Sequence, residues 1–509
     1  MATPSLPGPE VCPAAPHGEA LTVCSTKTPV HAPRDLLDVY VALSAMHGTE
    51  GVALLESASG REVDRRWSMV AFHPVAGLDV AQDVITLRGN GPARAWLSER
   101  LHDLRRTGLL RDDRPGFELS SPSALWDVLD ELRGAFRVEG VVDGPAAFGF
   151  FAMIGYDACR YTEPVARRLP EDDDAPEVSL TLFSSVVVRD ERTGAVSLVR
   201  HDSSLWVAPW PEEVARSLET RRVRPHRRSR AGDAHDETCE ADYAAHVERC
   251  LEHIRAGDIY QVQLGHEVTA GGGDSPVEVY ERLRRRNPSP YMFLAVHGGR
   301  SLIGASPELF VRVEDGTVMM RPIAGTAPRP DDPRKAELVK RRLAGDPKEI
   351  AEHVMLVDLC RNDIAPVCVP GTLDVPALMN VEEYSHVFHL VSTVTGRLAP
   401  GAHPWSVIPT SFPAGTMTGA PKRRAMEIIE EHEISRRGMY AGAIGMLGIG
   451  ADETHLALCI RTVTGRADVY TTRASAGVVA ASDAGREWEE TCAKFAAGLW
   501  AMTGKESVA

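Results

Sequence analysis

No stretch of roughly 18 apolar residues occurs in this 509-residue chain, which excludes a transmembrane helix. The N-terminus lacks a basic segment followed by an apolar one, so it offers no secretory signal. Paired cysteines are absent as well. The nine present (Cys12, Cys24, Cys159, Cys239, Cys250, Cys360, Cys368, Cys459 and Cys492) are scattered and never spaced C-x-x-C. That excludes a disulfide framework and a zinc knuckle, and they read as buried free thiols. Positive charge is in short supply: 56 Lys and Arg against 71 Asp and Glu leave a net charge of −15. Affinity for a phosphate backbone comes mostly from cations, so nucleic acid is not the expected partner. No fixed-period repeat is present, and neither G-x-x-x-x-G-K-[ST] nor G-x-G-x-x-G occurs, so no nucleotide is indicated. Apolar residues at 43% and charged residues at 25% match ordinary globular usage, which sets aside disordered, fibrous and coiled-coil classes. The expectation is a soluble, cytoplasmic protein with no membrane partner.

Residues 1–33 are rich in Pro, Ala, Thr and Ser without periodicity and read as a disordered leader. From residue 34 to 220, short apolar stretches such as Val52–Leu55 and Phe148–Ile154 are separated by Gly, Pro and Asp, as strands joined by turns. Residues 221–238 carry six arginines but no hydrophobic pattern and no interleaved aromatic, and read as a solvated linker. A second region, 239–505, opens with DYAAHVERCLEHIRAG, a helical pattern capped by Gly257. Helices and strands come in blocks rather than in strict alternation. This favours an α+β fold of large antiparallel sheets flanked by helices.

The densest chemical signal is acidic. KEIAEHVMLVDLCRND places Glu349 and Glu352 three apart, and REWEETCAK does the same with Glu487 and Glu490. Carboxylates at i, i+3 share one helix face. Two such faces could hold one hard cation, and oxygen-only donors suit Mg²⁺; an exposed helix surface would carry the same spacing without a metal. A di-iron bundle would need Glu-x-x-His on two helices. His353 sits at the wrong offset and the second helix has no histidine. The loops RPIAGTAPRP and FPAGTMTGAPKRRAMEII offer backbone N–H groups suited to a carboxylate-bearing substrate. His386 and His389 lie in an alternating apolar segment, where each is either packed or catalytic.

Taken together, the segments GDIYQVQL, RNPSPYMF, GASPELF, RPIAGTAPR, KEIAEHVMLVDLCRND, YSHVFHLVS, FPAGTMTGAPKRRAMEII and EWEETCAK, in this order, resemble the chorismate-utilising enzymes. The likeness is greatest to the large subunit of anthranilate synthase. It is strong over about 240–505 and looser over 35–230, through ALLESASG and FGFFAMIGYDACR. The resemblance implies an anthranilate-synthase-like N-terminal domain over 34–220 and a chorismate-binding catalytic domain over 239–505. It implies Mg²⁺ on the substrate's ring carboxylate, held chiefly by Glu352 and Glu490, with Glu349 and Glu487 beside them through water. Glu308 matches the family's general acid for the departing 4-hydroxyl, and His389 its catalytic histidine, suited to taking the C2 proton. Tyr440 and Arg461 match the pair that holds the enolpyruvyl carboxylate. Gln261, Thr326, Thr416, Gly477 and Lys494 match further substrate contacts.

The resemblance also bears on the branch. Water-using relatives carry a lysine where this chain has Gln261, and relatives that make 4-amino-4-deoxychorismate carry PIKGT where this chain has Ala324. Both departures point to amination at C2, with anthranilate as the leading product after loss of pyruvate. The alternative is a 2-amino-2-deoxyisochorismate synthase that stops after amination. Ser475 replaces a family glycine near the pyruvyl pocket, and Ala327 replaces the usual arginine. A degenerate ligand sensor is disfavoured because the acidic and histidine positions are intact. No amidotransferase nucleophile is present, since LGHE at 264–267 has no preceding cysteine. A separate glutaminase subunit is therefore implied, in a homo-oligomer or heterotetramer, serving tryptophan or antibiotic biosynthesis. Finally, Leu55, Glu56, Ser57, Asn287, Pro290, Tyr291 and Met292 match the family's tryptophan-inhibitor pocket, a pattern that core packing at a domain junction would also produce.

Overall fold

The computed structural model describes residues 20–30, 35–140, 142, 144–170, 175–212, 214–215, 232–384, 387–450 and 452–505. Its centre is an antiparallel ladder that crosses the chain's two halves. The ladder runs in space through Gln261–Gly271, Val469–Val479, Thr462–Arg466, Arg300–Ser306, Tyr291–His297, Val52–Glu56, Trp67–Ala81 and Val178–Asp190. From Val178–Asp190 it continues through Gly149–Ile154, Ala443–Gly448, Thr454–Leu458, Leu309–Glu314 and Thr317–Met320 to Val387–Arg397. The fold is thus the expected large antiparallel assembly with flanking helices.

Composition explains the buried centre. In VSLTLFSSVVVRD (Val178–Asp190) both faces are covered, and its first eleven residues are all buried. β-branched residues suit such a pleated surface. The core follows the ladder across both halves: Leu97 and Phe150 share one apolar cluster with Phe310 and Trp405, and Leu37 and Leu54 share another with Tyr280 and Ala501. Below the loops of the site, Phe310 and Phe412 meet edge to face with centroids 5.8 Å apart. Each such buried ring contributes about 1.5–3 kcal/mol.

Two boundaries need correcting. Leu21–Pro29, read as part of a disordered leader, is a strand paired with Val196–Ser203 and, in parallel, with Phe136–Glu139. Leu21, Val23 and Ser25 turn inward from it. The other is the linker, whose end Ala234–Asp236 pairs with Val268–Ala270 as a short strand; residues 221–231 lie outside the described ones. The Glu240–Ala256 helix ends as expected on Gly257, at φ 83°, whose N–H donates to the His253 and Ile254 carbonyls. The eight described cysteines are all free thiols.

Candidate active site

Two helices bring the carboxylates together. Asp346 caps the Pro347–Ile364 helix by accepting from the Lys348 and Glu349 N–H groups, and Asp483 caps Ala484–Thr503 by accepting from Arg486. Glu349 and Glu352 project from the first helix, Glu487 and Glu490 from the second. Burial pushes Glu352 up to about 7, and the neighbouring charges of Glu349, Glu490 and Glu487 add to the rise. Burial also raises Glu349 and Glu487. No three of these four bring oxygens within 4.8 Å of one another. Gln261 Nε2 donates to Glu352 Oε1 at 3.2 Å, while Gln261 Oε1 is buried without a partner. Such a donor set fits Mg²⁺, which takes one or two protein carboxylates and completes its shell with water and substrate oxygens. The mutual repulsion felt at Glu352 would be relieved by a cation among these carboxylates.

Around this acidic face the remaining residues interlock. Lys494 Nζ pairs with Glu490 Oε1 at 2.6 Å and donates to the Ser475 carbonyl at 2.8 Å. Arg461, at φ 52°, donates from Nη1 to the Lys494 carbonyl at 2.8 Å. At Gly477 an added Cβ would lie 2.8 Å from Gln261 Nε2 and 3.3 Å from Glu352 Oε1, so a side chain there would push both groups aside. Gly325 plays the matching part across the site, where a Cβ would stand 2.9 Å from Glu349 Oε2.

Glu308 is 6% exposed and lies in the loop after strand Arg300–Ser306. Burial pushes its carboxyl up to about 8, against opposing pulls from the Thr416 hydroxyl, the Ile323 N–H and the charge of Lys494. Thr416 is itself buried, with its hydroxyl beside the Glu308 carboxyl. His389 pairs in register with Thr326. Its Nδ1 lies 3.2 Å from the Gly325 carbonyl and 3.1 Å from Thr326 Oγ1. The carbonyl can only accept, so Nδ1 carries the proton and Nε2 keeps its lone pair. Burial holds His389 down to about 4, with Arg461 and Lys494 adding to the fall, so the ring is neutral. A neutral carboxyl donor and a neutral imidazole acceptor thus share one site, the division expected of an acid and a base.

Tyr440 is engaged differently. Ser475 Oγ donates to Gln263 Oε1 at 3.0 Å, which leaves the Tyr440 hydroxyl, 2.7 Å away, as the donor to Ser475 Oγ. Its phenolic proton is therefore taken. Gln263 was not singled out from the sequence, although its position two residues after Gln261 puts both on one face of the strand. The structure also turns His353 into the core, where its Nε2 meets Ser392 Oγ at 2.6 Å. His386 lies outside the described residues.

A separate cavity of about 100 Å³ is lined by Leu55, Glu56, Ser57, Pro290, Tyr291 and Met292 among others. Asn287, expected in the same group, is not among its lining residues; its amide lies 3.5 Å from the Ala305 carbonyl. Glu56 is already held by the Tyr280 hydroxyl at 2.5 Å and Arg284 Nη2 at 2.9 Å.

The chain matches the chorismate binding enzyme family over residues 114–499. It is 47% identical over 497 residues to a 2-amino-4-deoxychorismate synthase of Streptomyces globisporus, covering 95% of this chain and 99% of that one. It is 41% identical to an anthranilate synthase component 1 of Streptomyces coelicolor, covering 71% of this chain and 74% of that one. Among solved structures, anthranilate synthase component I from Streptococcus pneumoniae superposes with a TM-score of 0.69 at 29% identity, covering 86% of this chain and 94% of that one.

Proposed function

The chain belongs to the chorismate-binding enzyme family, and we propose that it aminates chorismate at C2 and stops there, releasing 2-amino-4-deoxychorismate. That molecule is the non-aromatic amine also called 2-amino-2-deoxyisochorismate. In the balanced step, ammonia forms a bond to C2, the ring double bonds shift, and the 4-hydroxyl departs as water. Glu308, protonated at neutral pH, supplies the proton for that departure. Glu352 and Glu490 would hold Mg²⁺, which would offset the charge of the ring carboxylate and polarise the ring. Gln261, in place of a lysine, activates no water.

The observation that carries the choice of product is the Tyr440–Ser475–Gln263 relay. Anthranilate requires the enolpyruvyl group to be gripped while His389 removes the C2 proton. Ser475 occupies that neighbourhood with a side chain and takes the hydrogen of the tyrosine that would grip it. Displacement of a reacting group by about 1 Å costs on the order of 100-fold in rate. The relative at 47% identity, whose stated activity is this same synthesis, supports the reading. Ammonia is to come from a glutaminase partner, since this sequence offers no amidotransferase nucleophile.

Incubating the purified chain with chorismate, Mg²⁺ and ammonium is expected to yield the amino product by mass, without anthranilate fluorescence and without pyruvate. Glutamine in place of ammonium is expected to give nothing. Equimolar pyruvate and anthranilate would overturn the choice of product. The pH profile gives a further test. At constant free ammonia, kcat/KM should be level through the neutral range and fall above about pH 8 as Glu308 ionises. A carboxyl left at its ordinary value would instead make kcat/KM fall by about tenfold per pH unit through the whole neutral range, because the proton it must donate would already be lost.

We assign the 100 Å³ cavity to a regulatory amino acid such as tryptophan. An α-ammonium reaching Glu56 has to compete with Arg284, so inhibition should be saturable but weak, in the high micromolar range or above. A rate that stays flat against tryptophan removes this assignment.

A further inference from the structure

Away from the carboxylate face, the Glu240–Ala256 and Lys422–His432 helices meet over a group of imidazoles. His246 and His253 are seven residues apart on the first helix and so lie on one face. Glu431 and His432 close the second. The rings of His246 and His253 stand 5.7 and 6.1 Å from that of His432. One ligand atom each from His253, Glu431 and His432 lies within 4.8 Å of the others.

The hydrogen bonding here is incomplete in a specific way. Both ring nitrogens of His432 are buried without a partner, and so is Nδ1 of His246. Buried polar atoms of this kind are rare and call for a reason. His253 is oriented from behind: its Nδ1 meets Asp258 Oδ2 at 2.8 Å, which leaves Nε2 facing away from that carboxylate. A carboxylate on the far nitrogen is the usual outer support of a metal-binding histidine. Cations also border the group. Arg168 pairs with Glu431 Oε1 at 3.0 Å, Arg424 reaches Asp258 at 3.7 Å and Glu431 at 4.0 Å, and Arg249 adds its charge. Burial lowers both His246 and His432, the latter to about 4, and the charge of Arg249 adds to each fall.

We propose that this inter-helix cluster binds a divalent transition-metal ion of the zinc class through His253 Nε2, His432 and Glu431, with His246 or water in the remaining position. Two imidazoles and one carboxylate suit Zn²⁺, Co²⁺ or Ni²⁺ and not Mg²⁺, which prefers oxygen. The chain would then sort two metals by donor chemistry, Mg²⁺ at the glutamates and a softer ion here. The bound ion ties the helix that leads into Gln261 to the helix that follows the Thr416 loop. Its role is to brace the site and not to react.

The test uses the full chain, stripped with chelator and saturated with Mg²⁺ so that the glutamates are filled. Co²⁺ titration followed by visible absorption, and Zn²⁺ titration by calorimetry, should report one site per chain. Binding should raise the melting temperature, because an ion bound only by the folded state stabilises it. His432→Ala and His253→Gln should abolish the Co²⁺ bands, and Asp258→Asn should weaken Zn²⁺ by about 10- to 100-fold. His253 is 25% exposed, so its replacement keeps the fold even if that of His432 does not. Glu352→Gln should leave the bands intact. Equal Zn²⁺ affinity and stoichiometry in wild type and His253→Gln would overturn the proposal, as would the absence of any Co²⁺ spectrum in the wild type.

Discussion

Glu308→Gln is expected to lower kcat/KM for chorismate by about 10²- to 10⁴-fold, the range that a positioned general acid contributes. The change should cost little stability, and the reason lies in its surroundings. Burial already holds the wild-type carboxyl in its neutral form near pH 7. Glutamine is its uncharged isostere and can still meet the Ile323 N–H and the Thr416 hydroxyl. What it cannot do is release a proton to a departing hydroxyl. Steady-state kinetics with ammonium, beside a thermal melt, check both parts. A variant with wild-type turnover would remove Glu308 from the mechanism, whatever its stability.

Glu352→Gln and Glu490→Gln should each reduce turnover at limiting Mg²⁺ by at least about 100-fold, corresponding to roughly 3 kcal/mol of lost transition-state stabilisation. The metal-free variants have a distinguishing signature. Glu352 is raised by burial and by three like charges, so neutralising it relieves repulsion. The Glu352→Gln chain should melt no lower than wild type without Mg²⁺, yet gain less when Mg²⁺ is added. A variant that melts lower without metal, and responds to Mg²⁺ as wild type does, would make Glu352 a structural residue.

The parts of this site that were legible in the sequence are the local ones. Glu349 with Glu352, and Glu487 with Glu490, needed only helical spacing, and the Gly257 cap needed only its place after an amphipathic run. Glu308 and His389 look like ordinary members of strand-rich segments, and only their resemblance to family motifs singled them out. Interactions between distant segments left no local trace. The Tyr440–Ser475 bond spans 35 residues. The buried Glu433 carboxylate, which accepts from Gly265 N–H, Arg437 and Arg473, joins three elements that no spacing rule connects. Leu21–Pro29 did carry a signal, the alternation of Leu21, Val23 and Ser25, but Pro and Thr around it gave the composition of an unstructured tail.

The interleaved ladder has a consequence for how the chain is made. Val52–Glu56 lies between Trp67–Ala81 and Tyr291–His297, and Gly149–Ile154 lies between Val178–Asp190 and Ala443–Gly448. During synthesis, which proceeds at about 5–20 residues per second, the first half leaves the ribosome with exposed strand edges whose partners have not yet been translated. Loop-closure entropy makes such distant pairings slow. The nascent chain therefore spends tens of seconds with open β edges, the period in which unpaired strands are most exposed to aggregation.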